Sequence, residues 1–156
     1  MIENDELLSV IPHKGKMVLL SRITNYNLKE RTIEAEYDIT DKCVFYDAGI
    51  SGVPAWVGFE FIAQTISALS GIDDRDNNRP PRLGFILGVS KMQIDIPYFK
   101  TGSKIKIKTR EVENVYPILY FTGELYLDSK KVLSGKITIL DVDEDQRKKF
   151  EGGLQI

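Results

Sequence analysis

The chain alternates apolar and polar residues over several long stretches. In RTIEAEYDIT, residues 31–40, Ile33, Ala35, Tyr37 and Ile39 fall on one face and acidic residues on the other. This period of two is typical of a half-buried strand. The other strand-like runs are MVLLSRITNYNLKE, LGFILGVSKMQIDI, SKIKIKTREVENV, PILYFTGELYL and KVLSGKITILDV. Because the connections between successive runs are short, we expect an antiparallel sheet of about six strands.

One segment, VPAWVGFEFIAQTISALSG at residues 53–71, is apolar on almost every side and reads as a long helix. Pro54 suits the first turn and Gly71 suits the position after the last one. We expect the charged, turn-rich residues 72–82 to form a loop. A sheet with one apolar face needs a cover, and a helix that is apolar nearly all round fits the inside of a curled sheet. The pattern therefore predicts an α+β fold with one central helix.

Glu60 lies inside this helix and shares a stripe with Gln64 and Ser67, at positions i, i+4 and i+7. The stripe has two interpretations. It is either a narrow edge that faces solvent, since glutamate is rarely buried unpaired, or a functional site. The apolar flanks and Trp56, one turn earlier, favour a partly desolvated carboxylate. Such a group is a candidate general acid or base.

Composition excludes several classes of function. The 156 residues suit one domain, spanning residues 1–156, and the net charge of −2 gives no electrostatic case for nucleic acid binding. No apolar run is long enough to predict a membrane span, and we expect that the acidic N-terminus does not act as a secretory signal. The single cysteine, Cys43, is compatible with a cytoplasmic location. With one histidine thirty residues away from it, we expect no metal and no cofactor.

Three motifs in order resemble the hotdog-fold 3-hydroxyacyl-acyl carrier protein (ACP) dehydratases of fatty acid synthesis. PAWVGFEFIAQ is similar to the helix motif of that family, with Pro54, Glu60 and Gln64 on its proline, catalytic acid and glutamine. IPHKGKMVLLSR resembles the family's Pro-His segment. The segment from LGFILGVS to SKIKIK resembles its Gly-Val strand, its turn and its long alternating strand. The start Gly-Val-Pro-Ala-Trp resembles a subgroup of predicted dehydratases from aryl-polyene-type synthesis clusters.

The resemblance implies a hotdog fold and a thioester dehydratase with Glu60 as a catalytic residue. It implies an oxyanion or substrate site near Ala55 and Trp56 at the helix start, completed by residues Gln64, Gly88 and Val89. Free N–H groups and the positive end of the helix dipole would suit an enolate-like oxygen there. We expect the acyl chain to lie beneath the sheet, where Phe59, Phe61 and Phe85 are either lining or plain core.

The segment before the helix departs from the family pattern. The dehydratases carry a catalytic histidine there, whereas this chain reads CVFYDAGISG. His13 is either an ordinary turn residue or a base that folds over Glu60, and the distance between the two side chains distinguishes these interpretations. Tyr46 and Asp47 are other stand-ins for the base, or simply turn residues before Gly49 and Gly52.

Three functions remain open. The first is dehydration of a 3-hydroxyacyl thioester on ACP or coenzyme A (CoA), with Glu60 and His13. The second is a thioesterase in which Glu60 activates water. The third is a non-catalytic hotdog subunit that binds ACP beside an active partner. The resemblance implies at least a homodimer, or a heterodimer with another hotdog subunit.

Overall fold

The computed structural model describes residues 1–153. Within that range the strands are β1 (Ile2–Glu3), β2 (Arg22–Asn27), β3 (Thr32–Asp38), β4 (Gly52–Pro54), β5 (Leu83–Ile94), β6 (Tyr98–Lys100), β7 (Lys104–Val115), β8 (Ile118–Leu127) and β9 (Lys130–Val142). The helices are α1 (Asn4–Val10), α2 (Gly58–Asp76) and α3 (Glu144–Gly153). Short 3-10 turns cover Gly15–Met17 and Ala55–Val57. No helix in the described range is both long and apolar enough to cross a bilayer.

Seven strands form one antiparallel sheet in the order β1-β2-β3-β7-β8-β9-β5, and β4 pairs separately with β6. The sheet curls around α2, which packs against β3, β7, β8 and β9. This is the predicted hotdog architecture, and all six predicted strands are present. The patterns did not predict β1, β4 and β6, because strands of two or three residues are too short to show a period.

Alternation along β3 and β7, at the centre of the sheet, gives each strand one buried face and one outer face. Their apolar residues face α2, and Ile33, Ala35, Ile105 and Ile107 are almost completely buried. On the outer face, acidic residues of β3 lie opposite lysines of β7. For example, Lys106 Nζ lies 3.2 Å from a carboxylate oxygen of Glu34. Such exposed cross-strand pairs contribute under about 1 kcal/mol each, so burial of the inner face dominates.

The central helix begins and ends later than predicted. The residues after Pro54 form a 3-10 turn, and α2 begins at Gly58 and continues to Asp76. The prediction that Gly71 follows the helix was wrong, because this glycine lies inside α2 where α1 crosses it. A Cβ on Gly71 would lie 2.7 Å from the carbonyl carbon of Val10. The glycine is there because the two helices touch through backbone atoms.

The extra helical turns replace the first part of the predicted loop at residues 72–82. Asp74 is 3% exposed and accepts hydrogen bonds from the side chain of Arg79 (3.2 Å) and from Arg82, at the backbone N–H (3.1 Å) and the side-chain Nε (3.0 Å). Arg82 also donates to Asp141 on β9 at 2.9 Å. These tertiary bonds hold a charged segment in a helix that local patterning alone did not predict.

Candidate active site

Glu60 and His13 lie side by side, although 47 residues separate them in the sequence. Glu60 is in the first turn of α2, and His13 follows α1 after Ile11 and Pro12. The packing of α1 on α2 places His13 Nε2 3.7 Å from Glu60 Oε1. The side chains are 26% and 23% exposed, so a substrate can reach both. Of the two interpretations of His13, the geometry favours the one in which it folds over Glu60.

His13 presents one nitrogen to Glu60 and keeps the other away from water. Its Nδ1 atom is buried and has no hydrogen-bond partner among residues 1–153. The Nε2 atom therefore remains as the nitrogen that can exchange a proton with a molecule beside Glu60.

A groove of about 490 Å³ starts at His13 and Glu60 and follows α2 toward its C-terminal end. Between Glu60 and Asp74 the helix rises about 21 Å, from fourteen residues at about 1.5 Å each. Small and polar residues of α2 form one wall of the groove, and apolar side chains from the sheet form the opposite wall. The lining includes Ala63, Ser67, Ser70, Leu83, Leu119 and Ile139. Such a long, mainly apolar groove suits a chain-like ligand.

The far end of the groove is polar. Asp74, Arg82 and Asp141 line it, and the Arg82 guanidinium donates to both carboxylates. Burial raises the pKa of the Asp141 carboxyl above its usual value, and Arg82 opposes that rise. This cluster was not predicted, because the charges in IDDRDNNRPPR are typical of a solvated loop. The ion pairs are mutually satisfied, so we assign them to the structure of the groove end.

The remaining predicted site residues lie elsewhere. Ala55, Trp56, Gln64, Gly88 and Val89 are not among the residues that line the groove. The expected free N–H of Ala55 is engaged, because it donates to the carbonyl of Pro97 at 3.1 Å. The Trp56 side chain is 56% exposed and stacks edge-on against Phe45. The predicted oxyanion site at the start of the helix is therefore not formed by the Ala55 N–H.

Gly88 and Val89 lie on β5, which forms one edge of the sheet, and both are exposed. Gln64 is fully buried, and its amide is bonded to other groups of the chain.

The aromatic candidates for the acyl lining are also outside the groove. Phe61 is core, with its ring centroid 5.0 Å from that of Tyr37, whereas Phe85 is half exposed on β5. Asp47 acts as a turn residue, because its carboxylate accepts the Gly49 N–H at 2.8 Å.

A curled sheet around a central helix defines a hotdog protein, and in this one a carboxylate and an imidazole meet in a long groove. The ApeP-like family model, described as ApeP dehydratase, matches residues 6–150. The chain therefore belongs to the ApeP-like family of dehydratases.

Relatives by sequence are the FabZ 3-hydroxyacyl-ACP dehydratases of Chlamydia. The Chlamydia caviae protein is 31% identical over 94 residues, which are 58% of this chain and 60% of the relative. The Chlamydia trachomatis serovar L2 protein is 26% identical over 66% of this chain and 68% of its own. The chain thus matches only about 60% of the length of the first of these relatives.

Solved structures share the fold. The dehydratase heterocomplex ApeI:P from Xenorhabdus doucetiae superposes with a TM-score of 0.83 at 20% identity, over 92% of this chain and 95% of that chain. A hypothetical thioesterase with coenzyme A from Streptococcus pneumoniae gives 0.59 at 10% identity, over 78% and 84%. At these identities the likeness concerns the fold alone.

Proposed function

We propose that this protein dehydrates 3-hydroxyacyl thioesters carried on ACP, with Glu60 and His13 as the catalytic pair. The observation that carries the proposal is the 3.7 Å approach of His13 Nε2 to Glu60 Oε1 at one end of a long groove. The family match and the FabZ relatives support the reaction class, and the FabZ names supply the acyl-ACP substrate. In this proposal His13, in the N-terminal segment, takes the role of the histidine that is missing from residues 43–52.

Dehydration needs a base for the Cα proton and an acid for the hydroxyl on Cβ. We assign the base to His13 Nε2 and the acid to protonated Glu60. His13 takes the Cα proton, the C–H electron pair forms the C=C bond, and the hydroxyl leaves as water with the proton from Glu60. Transfer of one proton from His13 to Glu60 then restores the starting state. At a separation of 3.7 Å, this return needs a small side-chain movement or one bridging water.

The groove along α2 is the proposed acyl site. Its apolar wall would shield the chain from water, while the ion-paired cluster closes the far end.

Hydration of a trans-2-enoyl thioester, the reverse reaction, tests the proposal. We expect turnover by the wild type and a fall of at least about 100-fold for Glu60→Gln and for His13→Asn. Glu30→Gln, which alters an exposed glutamate in a turn, is the matched control and should keep full activity. The assay is run with both ACP and CoA carriers and several chain lengths. A wild type that is inactive on the whole panel would contradict the proposal.

Thioester hydrolysis is the second candidate, favoured by the absence of histidine from residues 43–52. A single carboxylate that activates water would then be sufficient. Release of free thiol from acyl-CoA or acyl-ACP distinguishes this reaction from dehydration, which leaves the thioester intact. We rank hydrolysis lower because the imidazole beside Glu60 supplies the second group that dehydration requires.

We further infer that β5 is the surface that joins a second hotdog subunit. It is one of the two edge strands of the large sheet, so one side of its backbone has no partner strand among the described residues, and Phe85 and Leu87 are 49% and 55% exposed. Exposed apolar edge strands are prone to pair with another strand. Ile86 of the same strand lines the groove, so a partner there would lie against the site. The ApeI:P structure is a heterocomplex, which supports a different chain as the partner.

Sedimentation of the purified chain, alone and with a candidate hotdog partner, tests this assembly. Phe85→Lys should weaken the association by at least about tenfold, because burial of the lysine charge in an apolar contact is costly. Tyr120→Lys is the matched control, since Tyr120 is 37% exposed on β8 and pairs with β7 on one side and β9 on the other. Equal weakening by both variants, or no association in any arm, would exclude β5 as the interface.

A cytoplasmic location is also an inference. Cys43 is a buried free thiol, and a reduced cysteine is compatible with the reducing cytoplasm. The thioester substrates proposed above are consistent with that compartment. Fractionation of cells that produce the protein would test it, and recovery outside the cytoplasm would contradict it.

A further inference from the structure

Gln64 occupies a buried position directly behind the candidate active site. It lies one turn after Glu60 on α2, and its side chain is 0% exposed. The amide makes three contacts. Its Oε1 accepts the backbone N–H of Leu19 at 2.8 Å, and its Nε2 lies 2.7 Å from the carbonyl oxygen of Met17 and 3.2 Å from Glu60 Oε1. Both hydrogens and the oxygen of the buried amide therefore have partners.

Main-chain groups fix the orientation of this amide. An N–H can only donate, so the Leu19 N–H must meet the oxygen of Gln64, and the Met17 carbonyl must meet its nitrogen. A flipped amide would face a donor with a donor and an acceptor with an acceptor. The nitrogen is therefore directed at Glu60 Oε1, the same oxygen that His13 Nε2 approaches.

Through these contacts Gln64 joins the acid to the segment that carries His13. Residues 14–18 form a tight turn, in which Met17 N–H donates to Lys14 and Val18 N–H donates to Gly15. Gln64 bonds to the C-terminal part of this turn, and His13 precedes it. If the amide were lost, both the Glu60 rotamer and the position of the turn would be less restricted.

We propose that Gln64 is a positioning residue, which holds the Glu60 carboxylate and the His13 segment in one geometry without touching substrate. The inference rests on the proposed function for its kinetic consequence, but the positioning itself can be measured separately. A purely structural glutamine would stabilise the fold without affecting the relation between His13 and Glu60.

Two variants test the roles of the oxygen and the nitrogen of the amide separately. Gln64→Glu keeps an acceptor for the Leu19 N–H but replaces the two N–H donors to Met17 and Glu60 by at most one O–H donor. Gln64→Met, of similar size, removes the acceptor and the donors. The matched control is Thr65→Val, which removes a neighbouring buried hydrogen bond, from Thr65 Oγ1 to the Phe61 carbonyl at 2.7 Å, and is not part of the groove.

In the enoyl-thioester hydration assay we expect kcat to fall about 10- to 100-fold for both Gln64 variants, with KM within about twofold of wild type. Thr65→Val should keep its kcat within about twofold, although its melting temperature falls. Circular dichroism establishes the folded fraction of each variant. Gln64 variants whose kcat, per folded molecule, matches that of Thr65→Val would overturn the inference.

A second measurement does not depend on activity. Hydrogen exchange at the Leu19 amide should remain slow in wild type and Gln64→Glu and become at least about tenfold faster in Gln64→Met. His13 is the single histidine of the chain, so its ring NMR signals are unambiguous. Glu60→Gln should shift those signals in the wild-type background and shift them by less than half as much in Gln64→Met.

These outcomes keep the two proposals separate. A wild type without dehydratase activity, but with the expected exchange and ring-signal responses, would contradict the proposed reaction and support the positioning role. An equal ring-signal response in both backgrounds would overturn the positioning role even in an active enzyme.

Discussion

Gly71→Ala should destabilise the protein although alanine is the better helix former. In the interior of a helix this change alone would stabilise by about 1 kcal/mol. Here the new Cβ would lie 2.7 Å from the carbonyl carbon of Val10 and nearer still to its oxygen. Carbon atoms pack at about 3.5–4.0 Å, so α1 must move by roughly 1 Å. A backbone carbonyl cannot rotate away as a side chain can.

Overpacking of this kind costs about 1–3 kcal/mol. With a cost near the upper value, the net loss after the gain in helix propensity is about 2 kcal/mol. For a chain of this size that corresponds to a fall in melting temperature of about 4–8 °C. Thermal unfolding followed by circular dichroism measures it. Gly152→Ala is the control, because it is also a helical glycine but has no atom within 4 Å of the added Cβ. It should leave stability unchanged or raise it.

The same substitution should also change the geometry of the candidate active site. Val10 ends α1, and His13 follows it by three residues, so a shift of α1 changes the separation of His13 and Glu60. A misplacement of about 1 Å can lower a rate by up to about 100-fold. Gly71→Ala should therefore lose activity in the hydration assay at a temperature where it remains folded. A melting temperature at or above that of wild type would refute the packing argument, and unchanged activity would refute the link to His13.

Three further changes test other parts of the molecule. The Arg22 guanidinium bonds to Asp38 and holds the pKa of that carboxyl below its usual value, so this pair stabilises above the ordinary pKa and the stability is lost as pH falls. Asp38→Asn should thus flatten the fall of the urea midpoint between about pH 5 and pH 2, and an unchanged slope would contradict this. Phe61→Ala removes a fully buried ring and should cost about 3–5 kcal/mol in urea unfolding; a cost below about 1 kcal/mol would show that the core collapses around it. Ser67→Phe narrows the groove beyond Glu60 and should raise KM about tenfold for long acyl thioesters only; an equal effect on short ones would place the acyl chain elsewhere.

The strands and the central helix could be predicted from the sequence because their signals are local. A residue two positions along a strand faces the same side, so Ile105 and Ile107 identify their buried face without reference to the rest of the chain. The helix boundaries were less predictable. Proline and glycine mark helix ends on average, but Gly71 serves a contact between helices, and Asp74 is held in the helix by two arginines that follow it.

In the candidate site, too, some features could be predicted from the sequence and others could not. Glu60 could be selected from the sequence, since an acid within an apolar helix is unusual at any position. The role of His13 could not be decided, because an isolated histidine after Ile11-Pro12 suits a turn as well as a site. The expectation that the Ala55 N–H is free was wrong for a related reason. Its partner is the carbonyl of Pro97, which lies in a loop distant in the sequence.

The sequence by itself therefore determined the class of fold, the buried helix and the acid within it, since periodicity and composition act over a few residues. Only the tertiary structure decided which groups meet that acid. His13 reaches Glu60 because α1 crosses α2 at a glycine, and Gln64 turns its amide toward Glu60 because main-chain groups of Met17 and Leu19 orient it. Such contacts depend on the relative placement of whole elements to within about 1 Å, and no local pattern specifies that.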